Sequence, residues 1–255
     1  MALRARGWRV FASCRQEEDC QRLRAEGFES PRLDYADAAS IEAALAEVLA
    51  ATGGGLDALF NNGAFALPGA VEDLPTDGLR SIFETNVFGW HDLTRRVIPV
   101  MRRQGYGHIV NCSSVLGLVG VKWRGAYSAT KFAIEGLSEV LRIEMAPANI
   151  HVSLIEPGPV ASRLRQNAVP HFERWIDWKT SPRAAEYQAV LRRLYGPSRA
   201  DRWELPPSAV TERLVQILES PRPAARYYVT APAHAVGIMR RLLPSRAMDW
   251  VLRRA

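Results

Sequence analysis

Tyr127 and Lys131 stand four residues apart in "GAYSATKFAIEG" (125–136), in a chain whose only other lysines are Lys122 and Lys179, against thirty arginines. On a helix, positions i and i+4 share a face about one turn apart. A free phenol titrates near ~10 and is a poor acid or base at neutral pH. A neighbouring ammonium favours the phenolate and lowers that value, which makes the phenol a usable proton donor and acceptor. Ala126, Ser128 and Ala129 leave room beside the pair. Taken alone, Y-x-x-x-K is short and suits an ordinary surface pair equally well. Ser114, thirteen residues before Tyr127, adds a hydroxyl that could share a carbonyl oxygen with the phenol. Asn86, in "ETNVFG", interrupts a long helical stretch although asparagine is a mediocre helix former. Its expected role is to open the helix and hold a water beside Lys131.

The elements that must position these groups follow from hydrophobic period. Short apolar runs predict strands at "WRVFASC" (8–14), "RLDY" (32–35), "LDALFN" (56–61), "HIVNCS" (108–113), "HVSLIEP" (151–157) and "RYYVT" (226–230). Helical period falls between them, at 38–51, 77–103, 128–146 and 208–219. Strands alternating with helices predict an α/β fold, a doubly wound parallel sheet covered on both faces. Ligands in such sheets bind outside the C-terminal ends of the strands. Cys14, Arg15, Asp34, "NNGA" (61–64), Ser113, Ser114 and "PGPV" (157–160) all fall at those ends.

The 255 residues suffice for one large domain, and the Pro-rich stretch 197–207 reads as a loop within it. No apolar run approaches the ~20 residues of a membrane span, and no basic start leads into a secretory core, so a cytoplasmic protein is expected. Cys14, Cys20 and Cys112 form no C-x-x-C pair and suit reduced, buried thiols. The net charge of +6 is uneven: residues 1–160 carry 16 Lys/Arg against 19 Asp/Glu, and residues 161–255 carry 17 against 8. A solvated arginine-rich surface explains this, since no zinc-finger spacing or basic–aromatic repeat marks a nucleic-acid site. The five histidines lack metal-ligand spacing. The tail "IMRRLLPSRAMDWVLRR" could touch a membrane surface; packing against the body or a partner subunit is the plainer expectation.

"NNGA", "TNVFG", "IVNCSS", "AYSATKFA" and "IEPGPV" occur in one order and at separations that resemble the short-chain dehydrogenase/reductase family over about residues 5–165. The remainder looks like a branch holding bacterial NADP-dependent aldehyde reductases and hydroxysteroid and retinol dehydrogenases. The resemblance implies a single Rossmann-type domain over 1–255 with a substrate lid at about 163–207. Trp175, Trp178, Tyr187, Tyr195 and Trp203 in that region would suit a bulky apolar carbonyl or alcohol, or plain lid packing. Tyr127 would be the general acid, tuned by Lys131, which also bonds the nicotinamide ribose. Ser114 would polarise the carbonyl and Asn86 anchor a relay water. Asp34 would bond adenine, Asn62, Gly63 and Ala64 approach the adenosine, and Pro157, Gly158, Val160 and Ser162 line the nicotinamide. At the position where an acidic residue selects NAD stands Cys14, followed by Arg15, so NADP(H) is expected over NAD(H). A homodimer or homotetramer is expected by the same analogy.

One feature of the family is not found. No T-G-x-x-x-G-x-G turn precedes the first helix: "TGGGLD" (52–57) leads into a strand, and "GLVGVKWRG" (117–125) lies between Ser114 and Tyr127. The first strand and phosphate turn are therefore expected to be absent, through a mis-assigned start or a true truncation, and this polypeptide is expected to bind NADPH poorly. Two other readings compete with an NADP-dependent oxidoreductase. One is a non-catalytic scaffold, favoured only by the lacking turn. The other is a sugar-nucleotide epimerase, against which the length and the PG loop argue.

Overall fold

Ile109 and Val110 are adjacent on one strand and both are fully buried, the mark of a parallel strand covered on two faces. The computed structural model describes residues 1–196 and 202–253. Four strands, β1 (Ala58–Asn61), β2 (Gly107–Cys112), β3 (Ile150–Glu156) and β4 (Arg226–Tyr228), lie in chain order and all parallel. Phe60 is opposite Val110, Asn111 opposite Leu154, and Glu156 opposite Tyr228. On one face Ile109 meets Ile41, Leu93, Val97, Met101 and Met145. These come from α2 (Ala38–Thr52), α4 (Gly89–Gln104) and α5 (Gly125–Met145). On the other face Val110 and Ile155 meet Leu214 and Ile217 of α9 (Ser208–Leu218). The α2 boundaries are local chemistry. Asp37 accepts from the N–H groups of Ala39 and Ser40 (3.0 and 3.2 Å), and Gly53 ends the helix at φ 68°.

Two expected strands fail. Segment 8–14 meets the chain after α1 (Glu17–Ala25) at isolated parallel bridges, Phe11 with Glu29 and, at the start of segment 32–35, Cys14 with Arg32. Neither joins the four-stranded sheet among the described residues. Their apolar side chains are instead spent on helix packing: Trp8 joins the α9 side, and Leu33 and Tyr35 join the α2–α4 side.

The expected helix 77–103 also divides. α3 (Thr76–Phe83) and α4 are joined by one π turn, Glu84–Phe88, as sequence analysis anticipated for Asn86. Gly89 begins α4 because a Cβ there would lie 2.1 Å from the Tyr35 carbonyl oxygen. Helical period was missed for α1, for α6 (Leu164–Asn167), α7 (Val169–Trp175) and α8 (Ala184–Tyr195), and for α10 (Ala231–Leu242) and α11 (Ser245–Leu252). Helices α6–α8 cover a third apolar cluster built on Leu67, Ile82, Phe172 and Tyr187. Its hub is Tyr187, whose hydroxyl donates to Asp73 (2.8 Å) and accepts from the Ala70 N–H (2.9 Å). No helix among the described residues is long and apolar enough to cross a membrane.

The first residue of β4, Arg226, binds Glu135 (2.5 Å), Glu139 (2.6 Å) and the fully buried Glu156. Burial and the neighbouring Glu135 push the Glu156 carboxyl up, while Arg226 pulls it down. An acid raised by folding holds its proton where the unfolded chain has lost it, so this group's contribution to stability falls as pH rises through and above the carboxylate range. Replacing Arg226 by Met should destabilise the fold by about 3–5 kcal/mol at pH 7.5. The loss should grow further in urea unfolding at pH 9, because the wild-type Glu156 carboxyl then ionises against Arg226 while the variant's has no cation to ionise against.

Candidate active site

Strand β2 ends at Cys112, and Ser113 and Val115 bind the end of β3 and the residue after it. Ser113 N–H donates to the Ile155 carbonyl (2.8 Å) and Val115 N–H to that of Pro157 (2.8 Å). Between them Ser114 is extended and caps the short turn Val115–Gly117, its Oγ accepting from Leu116 N–H (3.1 Å). The same hydroxyl lies 3.5 Å from the Pro157 carbonyl. Helix α5 then presents Tyr127 and Lys131 inward, at 8% and 1% exposure, so neither is a surface group.

Lys131 is the most constrained group here. Its ammonium donates to the Cys112 carbonyl (2.8 Å), lies 4.5 Å over the Trp90 ring and 5.5 Å from the centre of the Tyr127 ring. Trp90 is held in turn by its Nε1 donating to the Gly63 carbonyl (2.8 Å). Burial pushes the Lys131 ammonium down to about 8, against the pull of Cys112 and Glu135. Sequence reasoning found Lys131 and missed Trp90, although Trp90 follows Asn86 by one helical turn.

The electrostatics of Tyr127 differ from expectation. Burial is the largest influence and pushes its pKa well above that of a free phenol, with Cys112 adding to the rise. The opposing pulls come from the Ser114 hydroxyl and the Arg124 guanidinium. Tyr127 is therefore held as the neutral phenol, a proton donor in waiting, and the expectation of a phenol made acidic by Lys131 does not describe this state.

Asn86 lies in the π turn and is completely buried. Its amide accepts from Phe65 N–H (3.1 Å) and donates to Phe65 O (2.9 Å) and Thr130 Oγ1 (3.2 Å). Both amide protons are spent, so the side chain pins the turn after β1 to α5 beside Lys131, and the structure shows no donor of this amide left for a water.

The expected cofactor residues fall into two groups. Asn62, Gly63 and Ala64 follow β1, and Pro157, Gly158 and Val160 follow β3, flanking the end of β2. Gly63 is needed there, because a Cβ would meet the Tyr35 ring at 2.9 Å. Ser162, exposed, accepts from Leu164 N–H (3.4 Å). Arg15 and Asp34 belong to the segment outside the sheet. Arg15 is exposed; burial first and the Arg15 charge second depress the basicity of His171 on α7. Asp34 spends one carboxylate oxygen on Ala36 N–H (3.0 Å). His171 stacks on Phe65, ring centres 3.6 Å apart. A cavity of about 500 Å³ lies between Arg165, Val169, Leu194 and Tyr195, and Tyr127 does not line it.

A model of the short chain dehydrogenase family matches residues 1–172. The chain belongs to that family. This short-chain dehydrogenase is 36% identical over 252 residues to the uncharacterized oxidoreductase YbbO of Escherichia coli K12, spanning 99% of this chain and 87% of YbbO. It is 35% identical to human retinol dehydrogenase 8 over 71% of this chain and 58% of that protein. Among solved structures it matches a short-chain dehydrogenase from Streptomyces avermitilis with a TM-score of 0.78 and 31% identity, covering 98% of this chain and 89% of that one. The family's fold binds a nicotinamide dinucleotide. The residues at the nicotinamide end fit that group: of the three donors of the Lys131 ammonium, one is taken by a hydrogen-bond acceptor, leaving donors for ribose hydroxyls. At the phosphate end the sequence offers no glycine-rich turn, and Arg15 is the cation nearest the end of segment 8–14.

The kcat of the oxidoreductase reaction should decline above about pH 8 as the Lys131 ammonium is lost. Trp90→Leu removes the ring face that favours the cation, an interaction of about 0.5–2 kcal/mol, and should move this limb down by roughly one unit. The pH dependence of single-turnover rates in both proteins checks it.

Proposed function

We propose that the protein is an NADP-dependent carbonyl reductase, working in reverse as an alcohol dehydrogenase, on apolar aldehydes or ketones of the steroid or retinoid kind. The observation that carries this reading is the convergence of Ser114, neutral Tyr127 and buried Lys131 at the joined ends of β2 and β3. When bound, the reduced nicotinamide supplies a hydride to the carbonyl carbon. The Ser114 hydroxyl holds the carbonyl oxygen, and the Tyr127 phenol gives that oxygen its proton, so the alcohol leaves complete. The phenolate left behind is stabilised by the Lys131 ammonium, by Ser114 and by Arg124 until a proton returns from solvent. With the Asn86 amide occupied, a relay water would rest on Lys131 and on backbone carbonyls of the π turn.

Residues 1–255 act in this reading as one domain with a lid at about 163–207, of which 197–201 lie outside the described residues. The lid's apolar underside, Phe172, Ile176 and Leu194 beside Tyr127, suits an apolar substrate body. Tyr187 belongs to the lid's anchorage, since its hydroxyl is consumed by Asp73 and Ala70. NADP is favoured because Arg15 has no acidic partner among the described residues, and a guanidinium can clamp a 2′-phosphate. The names of retinol dehydrogenase 8 and of human 17-beta-hydroxysteroid dehydrogenase type 1 support the substrate class by analogy.

NADPH oxidation against a panel of aldehydes and ketones tests the reading. Tyr127→Phe should lower kcat by about 10²–10⁴-fold with its thermal unfolding midpoint unchanged; turnover retained at the wild-type rate would remove Tyr127 as the acid. Arg15→Glu should raise the KM for NADPH about tenfold or more and leave that for NADH near its original value; equal effects on both would remove the 2′-phosphate clamp.

A further inference from the structure

Arg124 is the N-cap residue of α5, three positions before Tyr127. It is half-buried, and no hydrogen bond, ion pair or ring contact satisfies its guanidinium among the described residues. Its basicity is depressed by burial first and by Arg193 of α8 second, with Tyr127 acting in the other direction. Its neighbours are differently placed. Lys122 is paired with Glu186 and Arg183 with Glu72. A guanidinium partly withdrawn from water and paired with no carboxylate is costly.

The backbone that presents it is strained. Trp123 has φ 69°, one of two non-glycine residues in the left-handed region among those described. For a bulky aromatic residue this is a strained conformation that persists only where the surroundings impose it. They do so from four sides. The Trp123 carbonyl accepts from Gly69 N–H (3.0 Å), and its ring meets Tyr187 at 4.8 Å. The cations of Lys122 and Arg183 lie 5.1 and 5.7 Å from the ring. Arg124 forms the next bridge to Gly69, and its carbonyl accepts from Ser128 N–H (2.8 Å) to begin α5. The strained residue therefore fixes the backbone that carries Arg124, one helical turn before Tyr127.

We infer that Arg124 binds an anionic group of the substrate, so that the enzyme's preferred carbonyl compounds are oxo acids. In such a compound a carboxylate or comparable anion lies a few carbons from the carbonyl that Tyr127 protonates. The fork of the guanidinium takes the carboxylate in two parallel hydrogen bonds. Leu116, Trp123, Leu164 and Val169, which pack around the Tyr127 cluster, take the hydrocarbon part. The inference rests on the carbonyl-reductase reading and adds an anionic end to the apolar substrate body proposed there. The reaction is unchanged: hydride adds to the carbonyl carbon, the Tyr127 proton to its oxygen, and the carboxylate stays intact.

The test compares a medium-chain oxo carboxylic acid with its methyl ester in the wild-type protein, Arg124→Met and Arg124→Lys, all with NADPH. A charge-assisted hydrogen bond contributes about 1.5–3 kcal/mol, so wild-type kcat/KM should favour the acid by about 10–100-fold, mainly through KM. In Arg124→Met the acid-to-ester ratio should collapse to near one, and Arg124→Lys should recover part of it. A wild-type ratio near one overturns the inference. So does an equal fall for acid and ester in Arg124→Met, which would make Arg124 a tuner of Tyr127 alone. A raised KM for NADPH with the ratio intact would assign the guanidinium to the cofactor's phosphates. Calorimetric titration of the hydroxy-acid product and its ester separates the two readings: binding that favours the acid in the wild type and not in Arg124→Met, without turnover of either ketone, would leave anion recognition standing and remove the reductase reading. Equal binding of acid and ester to both proteins would remove anion recognition.

Discussion

The site is organised around one buried positive charge. Removing an ammonium from water costs several kcal/mol unless its surroundings replace the hydration, and Lys131 is 1% exposed. The replacement comes from the Cys112 carbonyl at the end of β2 and the face of Trp90 on α4, with Glu135 a turn further along α5. Three separate elements must therefore meet at one point. The meeting of α4 and α5 is secured by Asn86, which ties the turn after β1 to Thr130. The π turn that carries Asn86 sets the register in which Trp90 reaches the lysine. Gly63 and Gly89 then admit the Tyr35 segment at distances no larger residue allows.

Burial works on the two titrating groups in opposite chemical senses. It weakens the ammonium's hold on its proton and strengthens the phenol's. The two proton affinities are thereby driven apart: the phenol stays neutral and can donate, beside a cation placed to stabilise what donation leaves. Ser114 and Arg124 supply the remaining stabilisation from the substrate side. Arg124 thus has a double position, close enough to act on Tyr127 and unsatisfied by any acid of the described chain. The strain at Trp123 shows that its placement is imposed by tertiary contacts with Tyr187 and Gly69 and is not a local preference.

Helix α5 continues this arrangement to its other end. Glu135, two turns from Tyr127, shares Arg226 with Glu156 and Glu139. The carboxylates that would otherwise repel one another behind the site are held by one guanidinium from β4. One oxygen each of Glu135 and Glu156 remains buried without a partner, so this cluster is finely balanced against loss of its cation.

Much of this was written locally. The i, i+4 spacing of Tyr127 and Lys131 follows from helical period, and the four strands of the sheet appear within two residues of where apolar runs predict them. The break at Asn86 was legible because an asparagine inside a helical stretch requires a reason. Segments 8–14 and 32–35 read as strands by the same apolar pattern, yet a strand exists only where a neighbour supplies hydrogen bonds along its length, and here two bridges do. The helices α6–α8 and the roles of Trp90 and Arg124 were hidden because their partners are distant in sequence. Residue types and spacing determined by themselves which groups could do the chemistry and at whose strand ends they stand. The tertiary structure alone decided their charge states, because the cost of a charge depends on how much water and which dipoles surround it, and both are set by what folds over the site.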